Sequence, residues 1–277
     1  MNLFEAIILG IIQGLTEFLP VSSSGHIELG KVILGVKPKD PLLFSVVVHA
    51  ATALSTIVVY AKDIWNLIKG LFEFSWNEST RFVALIVLSM IPVGIVGVFF
   101  EEQVEVLFNE QIVLVGAMLL VTAGLLWFSS RPREQSGHIS FLKAFIIGVA
   151  QAIAILPGIS RSGATISTAL ILGVSREQAA RFSFLMVLPP ILGATLLKVK
   201  KYTETSGAAE AVQTVADSAA VEVGPIALVA GFVAAFISGL LACSWMIKIV
   251  KNAKLWYFAI YCLVVGLLAI GWGLFAA

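Results

Sequence analysis

Six stretches of this chain, roughly 41–60, 82–100, 112–128, 182–199, 226–247 and 256–276, run apolar for close to the length that a bilayer demands. A helix needs about 20 such residues to cross the hydrocarbon core. Backbone N–H and C=O groups find no water there, so the stretches must fold as helices that satisfy them internally. Composition agrees. Of 277 residues, 59% are hydrophobic and 13% charged, against about 45–50% and about 25% in ordinary soluble domains. A net charge of +1 from 18 Lys+Arg and 17 Asp+Glu offers no basic field, so nucleic acid is excluded as a partner. Met1-Asn2-Leu3-Phe4-Glu5 has no basic n-region and no small-residue cleavage site behind it, so the first apolar segment is expected to belong to the mature fold. Cys243 and Cys262 lie inside apolar runs and suggest neither a disulfide framework nor a metal cluster.

Two further apolar regions, 3–36 and 141–174, are interrupted at their centres. One break reads Pro20-Val21-Ser22-Ser23-Ser24-Gly25, the other Pro157-Gly158-Ile159-Ser160-Arg161-Ser162-Gly163. Proline removes a backbone donor and glycine weakens a helix, so each region is expected to be a helix–break–helix hairpin that enters and leaves by one face. Shifting the sequence by 138 residues superposes them without a gap. Identities fall at Gly10/Gly148, Gln13/Gln151, Ser22/Ser160, Ser24/Ser162, Gly25/Gly163, and the run Ile33-Leu34-Gly35-Val36 against Ile171-Leu172-Gly173-Val174. Apolar bias alone cannot produce the polar matches, so the chain reads as two halves, about 1–138 and 139–277, of a single membrane domain. Each half then holds one hairpin and three spans. An odd number of crossings inverts the second half, giving an all-α integral membrane fold with an inverted-topology repeat, six transmembrane helices and two re-entrant helical hairpins. Broken helices meeting near the midplane, with their N-termini toward a central anion, are a transporter architecture.

Loop charge sets an orientation. The 101–111 connection carries Glu101, Glu102, Glu105 and Glu110, whereas 61–81 carries Lys62, Lys69 and Arg81, and 248–255 carries Lys248, Lys251 and Lys254. The positive-inside rule places the latter two in the cytoplasm and both termini outside. Lys198, Lys200 and Lys201 run against this pattern, and the rest of 198–223 reads as a tether. Trp65, Trp127 and Trp256 read as interface anchors, and Arg176 and Arg181 as the cytoplasmic edge.

The breaks hold the polar groups that matter. Ionisable residues inside a membrane are costly and mark function by default. Here they are Glu17, His26 and Arg161, with Gln13 one turn from Glu17 on the same helix face. Arg161 presents a planar fork suited to phosphate, and Ser/Gly turns expose N–H and hydroxyl donors to anionic oxygens. Ser23 or His26 is a candidate to attack phosphorus, with Glu17 orienting or deprotonating the attacking group. The plainer readings are that Ser22, Ser24, Ser162 and Thr165 permit close packing, and that Arg161 pairs with Glu17 as a structural bond. His49 reads as structural or pore-lining, and His138 as a solvated loop residue.

The run Gln13-Gly14-Leu15-Thr16-Glu17-Phe18-Leu19-Pro20-Val21-Ser22-Ser23-Ser24-Gly25-His26, together with Pro157-Gly158-Ile159-Ser160-Arg161-Ser162-Gly163-Ala164-Thr165, resembles the undecaprenyl-diphosphate phosphatase family, the bacitracin-resistance type of bacteria. The resemblance covers the whole length. It implies hydrolysis of undecaprenyl diphosphate to the monophosphate carrier lipid and phosphate, in the bacterial cytoplasmic (inner) membrane, at a site opening to the outer face. It also implies Ser23 and His26 as the catalytic pair, with Glu17 the second acidic position of the family's glutamate motif. Arg161 becomes the phosphate clamp, and Ser160, Ser162 and Thr165 line the second motif, with Ser22 and Ser24 beside the first. A divalent cation, Mg²⁺ or Ca²⁺, is implied too, with Gln13 and Glu17 as its ligands. This chain departs from many relatives in carrying Gln13 where they have Glu, which leaves one carboxylate for that metal. The partners expected are a polyprenyl diphosphate lipid, membrane lipids and a possible homodimer. The rival reading from another class is a polyprenyl-phosphate flippase, which would release no phosphate.

Overall fold

A computed structural model describes residues 1–36, 41–100, 111–131, 137–193, 195–197, 224–252 and 254–275. The acidic connection 101–110 and the stretch 198–223 lie outside them, as do the orientation arguments that rest on those residues. The described chain is all-helical apart from one isolated bridge between Gly137 and Val174. Its helices are α1 (Leu3–Phe18), α2 (Ser23–Leu34), α3 (Pro41–Val59), α4 (Ala61–Leu71), α5 (Glu78–Phe99), α6 (Ile112–Ser129), α7 (Phe141–Ile153), α8 (Arg161–Ile171), α9 (Arg176–Met186), α10 (Pro225–Lys251) and α11 (Trp256–Phe275).

Five segments are long and apolar enough to cross a membrane: α5, α6, Arg176–Leu197, α10 and α11. A sixth is formed if α3 and α4 count as one span, but they meet at a 74° bend. The 61–71 stretch is therefore helical where the sequence suggested only a connection. The bend falls at Tyr60, beyond which Lys62, Asp63 and Lys69 give α4 a strongly polar side. A helix with such a side cannot continue into hydrocarbon, so it turns. Large apolar side chains on α5, α10 and α11, such as Ile95, Ile237 and Leu268, are exposed, as lipid-facing surfaces should be.

The helices start and stop where their sequence tells them to. Asn2 and Glu5 form a reciprocal capping box on α1. Ser22, Ser140, Ser160 and Ser175 each cap the following helix through the side chain. Pro225 opens α10 at its first position. Leu19 and Pro20 end α1, and Gly35 closes α2 in the left-handed conformation.

Small residues let the longest helices approach closely. α1 lies along α10, and α6 along α11. A Cβ on Gly116 would come within 2.7 Å of the Gly266 carbonyl oxygen, so these backbones touch. α7 packs on α5 in the same manner, the Gly148 position lying 2.4 Å from the Ser89 carbonyl oxygen. The shorter helices α8 and α9 are enclosed: eight of the eleven residues of α8 are buried. That enclosure carries the N-terminus of α8, and Arg161 with it, into the centre of the bundle.

Candidate active site

Both chain breaks sit inside protein, where their backbone groups find partners. Thr122 on α6 accepts from the Ser160 N–H at 3.0 Å and donates to the Gly158 carbonyl at 3.1 Å. Cys262 on α11 donates to the Pro20 carbonyl at 3.6 Å. This is the condition under which irregular backbone survives at membrane depth. Gly158 adopts φ 98°, and a Cβ there would lie 2.4 Å from the Val115 carbonyl oxygen, so only glycine fits. Ser22 adopts φ 71°, a conformation that costs a non-glycine residue and concentrates at functional sites.

The breaks also touch each other. Ser162 Oγ donates to the Leu19 carbonyl at 3.2 Å, and a Cβ on Gly163 would lie 3.3 Å from Pro20 Cβ. Hence α2 and α8 both begin at one place. Their free N–H groups and dipoles bring partial positive charge there, which favours an anion.

Glu17 is the hub. Its Oε1 accepts from Arg161 Nη2, while its Oε2 accepts from Ser23 Oγ at 2.5 Å and from Gln13 Nε2 at 2.9 Å. The side chain of Glu17 is 6% exposed and that of Arg161 28%. The plainer reading of Arg161, an ion pair with Glu17, is thus a real contact. The guanidinium carries five donors, and the others remain for a phosphate.

Ser23 and His26 are not joined. The Ser23 hydroxyl goes to Glu17, and both ring nitrogens of His26 are held elsewhere: Nδ1 lies 2.8 Å from the Ser22 carbonyl oxygen, and Nε2 2.8 Å from Tyr261 Oη. A carbonyl only accepts, so Nδ1 carries the proton. His26 also stacks on Tyr261, at 5.6 Å between ring centroids. Among the described residues the Ser23 hydroxyl turns to Glu17 and the His26 imidazole toward α11.

The remaining hydroxyls of the two motifs serve the backbone or one another. Ser22 and Ser160 cap α2 and α8, and their hydroxyls lie 3.3 Å from those of Ser24 and Ser162 respectively. Thr165 donates to the Arg161 carbonyl at 2.9 Å. Only Ser162 of the second motif, with Arg161, lines the cavity beside Glu17.

Three participants carried no local signature in the sequence. His49 Nε2 lies 3.9 Å from Glu17 Oε2 and its Nδ1 2.8 Å from the Ser45 carbonyl oxygen, so the residue read as structural or pore-lining stands at the site. Tyr261 and Thr122 come from α11 and α6. Neither lies in a motif, and only three-dimensional packing reveals them. His138 is an exposed loop residue whose Nδ1 lies 2.8 Å from Gln178 Nε2.

A divalent cation would find few free donors here. Gln13 Oε1 is buried with no hydrogen-bond partner among the described residues, which is one available ligand. Both Glu17 oxygens are already engaged, and no group of three or more His, Cys, Asp or Glu among the described residues could hold a metal. These residues do not by themselves make a cation site.

Comparison with known proteins decides the family. The bacitracin resistance protein BacA family model matches residues 6–268. The chain belongs to the BacA family. Among curated proteins, an undecaprenyl-diphosphatase of Christiangramia forsetii is 55% identical over 272 residues, covering 98% of each chain. One of Bacteroides fragilis is 52% identical over 98% of each. A more distant BacA relative, an undecaprenyl-diphosphatase of Carboxydothermus hydrogenoformans, is 39% identical over 96% of this chain and 95% of its own. The chain is a multi-pass membrane protein of the BacA family, with the two breaks that define its motifs in mutual contact.

Proposed function

We propose that this chain hydrolyses undecaprenyl diphosphate to undecaprenyl phosphate and phosphate, which recycles the carrier lipid for cell-wall synthesis and gives resistance to bacitracin. The observation that carries the reading is the meeting of Glu17, Ser23 and Arg161 at the joined N-termini of α2 and α8. The full-length relatives named undecaprenyl-diphosphatase support it.

The reaction follows from the contacts. The diphosphate enters beside Arg161, whose remaining donors take its oxygens, and the two helix N-termini stabilise the charge on the transferring phosphoryl group. Ser23 Oγ attacks the terminal phosphorus as its proton passes to Glu17 Oε2. The P–O bond to the bridging oxygen breaks and undecaprenyl phosphate leaves. Water then attacks the phosphoserine and loses its proton to His26; the Ser23 Oγ–P bond breaks, Ser23 recovers its proton from Glu17, and phosphate is released. His26, fixed by Ser22 and Tyr261, provides a second acid–base group for the water step. A Mg²⁺ or Ca²⁺ requirement is assigned to the substrate's diphosphate rather than to a resident ion on Gln13 and Glu17. The relatives named undecaprenyl-diphosphatase favour hydrolysis over the flippase reading.

The inverted repeat is supported by packing. α1 lies on α10 as its counterpart α7 lies on α5, and α6 lies on α11. Exchanging the halves maps each pair onto another. Ser22 and Ser160 cap their helices alike, and Gly35 and Gly173 both take positive φ. We read α1–α2 and α7–α8 as the re-entrant hairpins. The ion pair of Arg181 with Asp63 at 2.7 Å and the reach of Arg81 toward the Ile139 carbonyl gather basic residues at one end, which we place in the cytoplasm of the bacterial inner membrane. The site then opens to the outer face, with both termini outside. The test is phosphate release from farnesyl diphosphate in detergent: rapid with the parent protein and lost with Arg161→Ala. A parent protein that releases none is not a phosphatase.

A further inference from the structure

The cavity beside Glu17 and Arg161 contains a hydroxyl that the reaction above leaves unused. Ser183 lines it from α9, is 4% exposed, and has no hydrogen-bond partner among the described residues. The other hydroxyls on that wall are engaged: Thr52 donates to the His49 carbonyl at 2.9 Å, Thr56 to the Thr52 carbonyl at 3.1 Å and Ser162 to the Leu19 carbonyl at 3.2 Å. Several helical serines and threonines in this protein bond back to the preceding turn, as Thr16, Ser55 and Thr165 do. Ser183 makes no such bond, so its hydroxyl is buried unsatisfied, a state that proteins avoid unless something else supplies the partner.

The cavity, about 20 Å³, now has room for about one water, so a larger partner must widen it, and the lining narrows what that partner is. Beyond Ser183 the same wall is apolar, formed by Phe184, Val187 and Ile191. A free phosphate or pyrophosphate would need only the polar end. A phosphate ester of a hydrocarbon needs both ends, adjoining. We propose that Ser183 is a further substrate-binding residue. Its hydroxyl donates to an oxygen of the diphosphate held by Arg161, while Phe184, Val187 and Ile191 receive the first carbons of the isoprenoid chain. The proposal rests on the phosphatase reading of this site and adds to it the subsite that distinguishes a lipid diphosphate from an inorganic one.

The test uses the full-length protein in detergent with pyrophosphate, dimethylallyl diphosphate and farnesyl diphosphate. Ser183→Ala is expected to raise KM about tenfold for both prenyl diphosphates, the loss of one hydrogen bond to a charged group, with kcat within about twofold. Ser183→Thr, which keeps the hydroxyl, is expected to restore most of the affinity. The substrate-free Ser183→Ala protein should melt no lower than the parent, because no hydrogen bond is lost. Val187→Phe should raise KM for both prenyl diphosphates and leave that for pyrophosphate unchanged. Pyrophosphate should bind more weakly than either lipid and respond to Ser183→Ala alone.

An unchanged KM in Ser183→Ala overturns the assignment, as does a lowered melting temperature or a variant that does not fold, since either shows a structural bond. A Val187→Phe protein whose KM is unchanged for both lipids, or is raised equally for pyrophosphate, removes the tail from this wall. A parent protein that cleaves none of the three overturns the underlying phosphatase reading instead, and is told apart by the missing phosphate.

Discussion

Arg161, the first residue of α8, donates through Nη2 to Glu17 Oε1 near the end of α1, 144 residues away in the chain. That single contact ties the two broken segments together and joins the site's main cation to its main anion. Removing one partner of a buried pair leaves the other charged and unpaired, at about 3–5 kcal/mol when burial is complete. Arg161 is 28% exposed, so a loss toward the lower end is expected. Arg161→Ala and Glu17→Gln should each lower the melting temperature in detergent, and the double variant should lose less than their sum. Strict additivity would show that the pair does not couple the segments. Activity should fall by at least about 10²-fold in either single variant, the scale of losing one preorganised charge donor.

The contact of Ser23 with Glu17 at 2.5 Å, and the engagement of both His26 nitrogens elsewhere, separate two roles that the sequence left together. Ser23→Ala should abolish phosphate release. His26→Ala should retain at least about tenfold more activity than Ser23→Ala, because Glu17 still takes the proton. Tyr261→Phe removes one hydrogen bond of about 1 kcal/mol and should cost only about fivefold. A His26→Ala protein as inactive as Ser23→Ala would return the base to His26.

What the sequence made legible was local. The broken segments announce themselves through Pro20, Pro157 and the glycines, and the caps Ser22 and Ser160 stand where their spacing to Gly25 and Gly163 requires. The five spans follow from apolar length alone. That 61–71 is a helix and not only a connection was not legible, because Ile64 and Leu67 lie on one side of a helix whose other side is polar. Nor were Thr122, His49 and Tyr261, which reach the breaks from other helices without a motif of their own. The distinction between hydroxyls that cap and one that faces the cavity also depends on side-chain direction, which spacing does not specify. Ser183, inside an apolar span, gave no such sign.

His49 offers a direct test of such unannounced residues. Its Nε2 lies 3.9 Å from Glu17 Oε2, and the side chain is 30% exposed, so any charge interaction is screened. His49→Ala should reduce kcat/KM by less than tenfold, and His49→Gln by less still. A loss matching that of Arg161→Ala would make His49 part of the chemistry itself.

Helix contact predicts a pair of glycine substitutions with opposite effects. A Cβ at Gly148 meets the Ser89 carbonyl oxygen at 2.4 Å, whereas Gly94 has nothing within 4 Å. Gly148→Ala must push α5 and α7 apart and should destabilise by about 1–3 kcal/mol. Gly94→Ala gains helix propensity worth up to about 1 kcal/mol and meets no obstacle. Melting temperatures in detergent should move in opposite directions, and a shared direction would contradict the packing of α7 on α5.

Gln13 decides how the protein meets a divalent cation. Its Nε2 is bonded to Glu17 and its Oε1 has no partner among the described residues, so the pair offers one neutral oxygen and a carboxylate already neutralised by Arg161. Calorimetric titration of Mg²⁺ or Ca²⁺ into the lipid-free protein should give no saturable binding at millimolar concentrations, although a chelator can still slow hydrolysis by stripping the diphosphate of its cation. Gln13→Glu places two carboxylates one turn apart on α1. Like charges so placed repel, so this variant should melt lower than the parent without metal and recover on adding Mg²⁺. Saturable binding by the lipid-free parent, or a Gln13→Glu protein indifferent to Mg²⁺, would show that the cation is held by residues other than this pair.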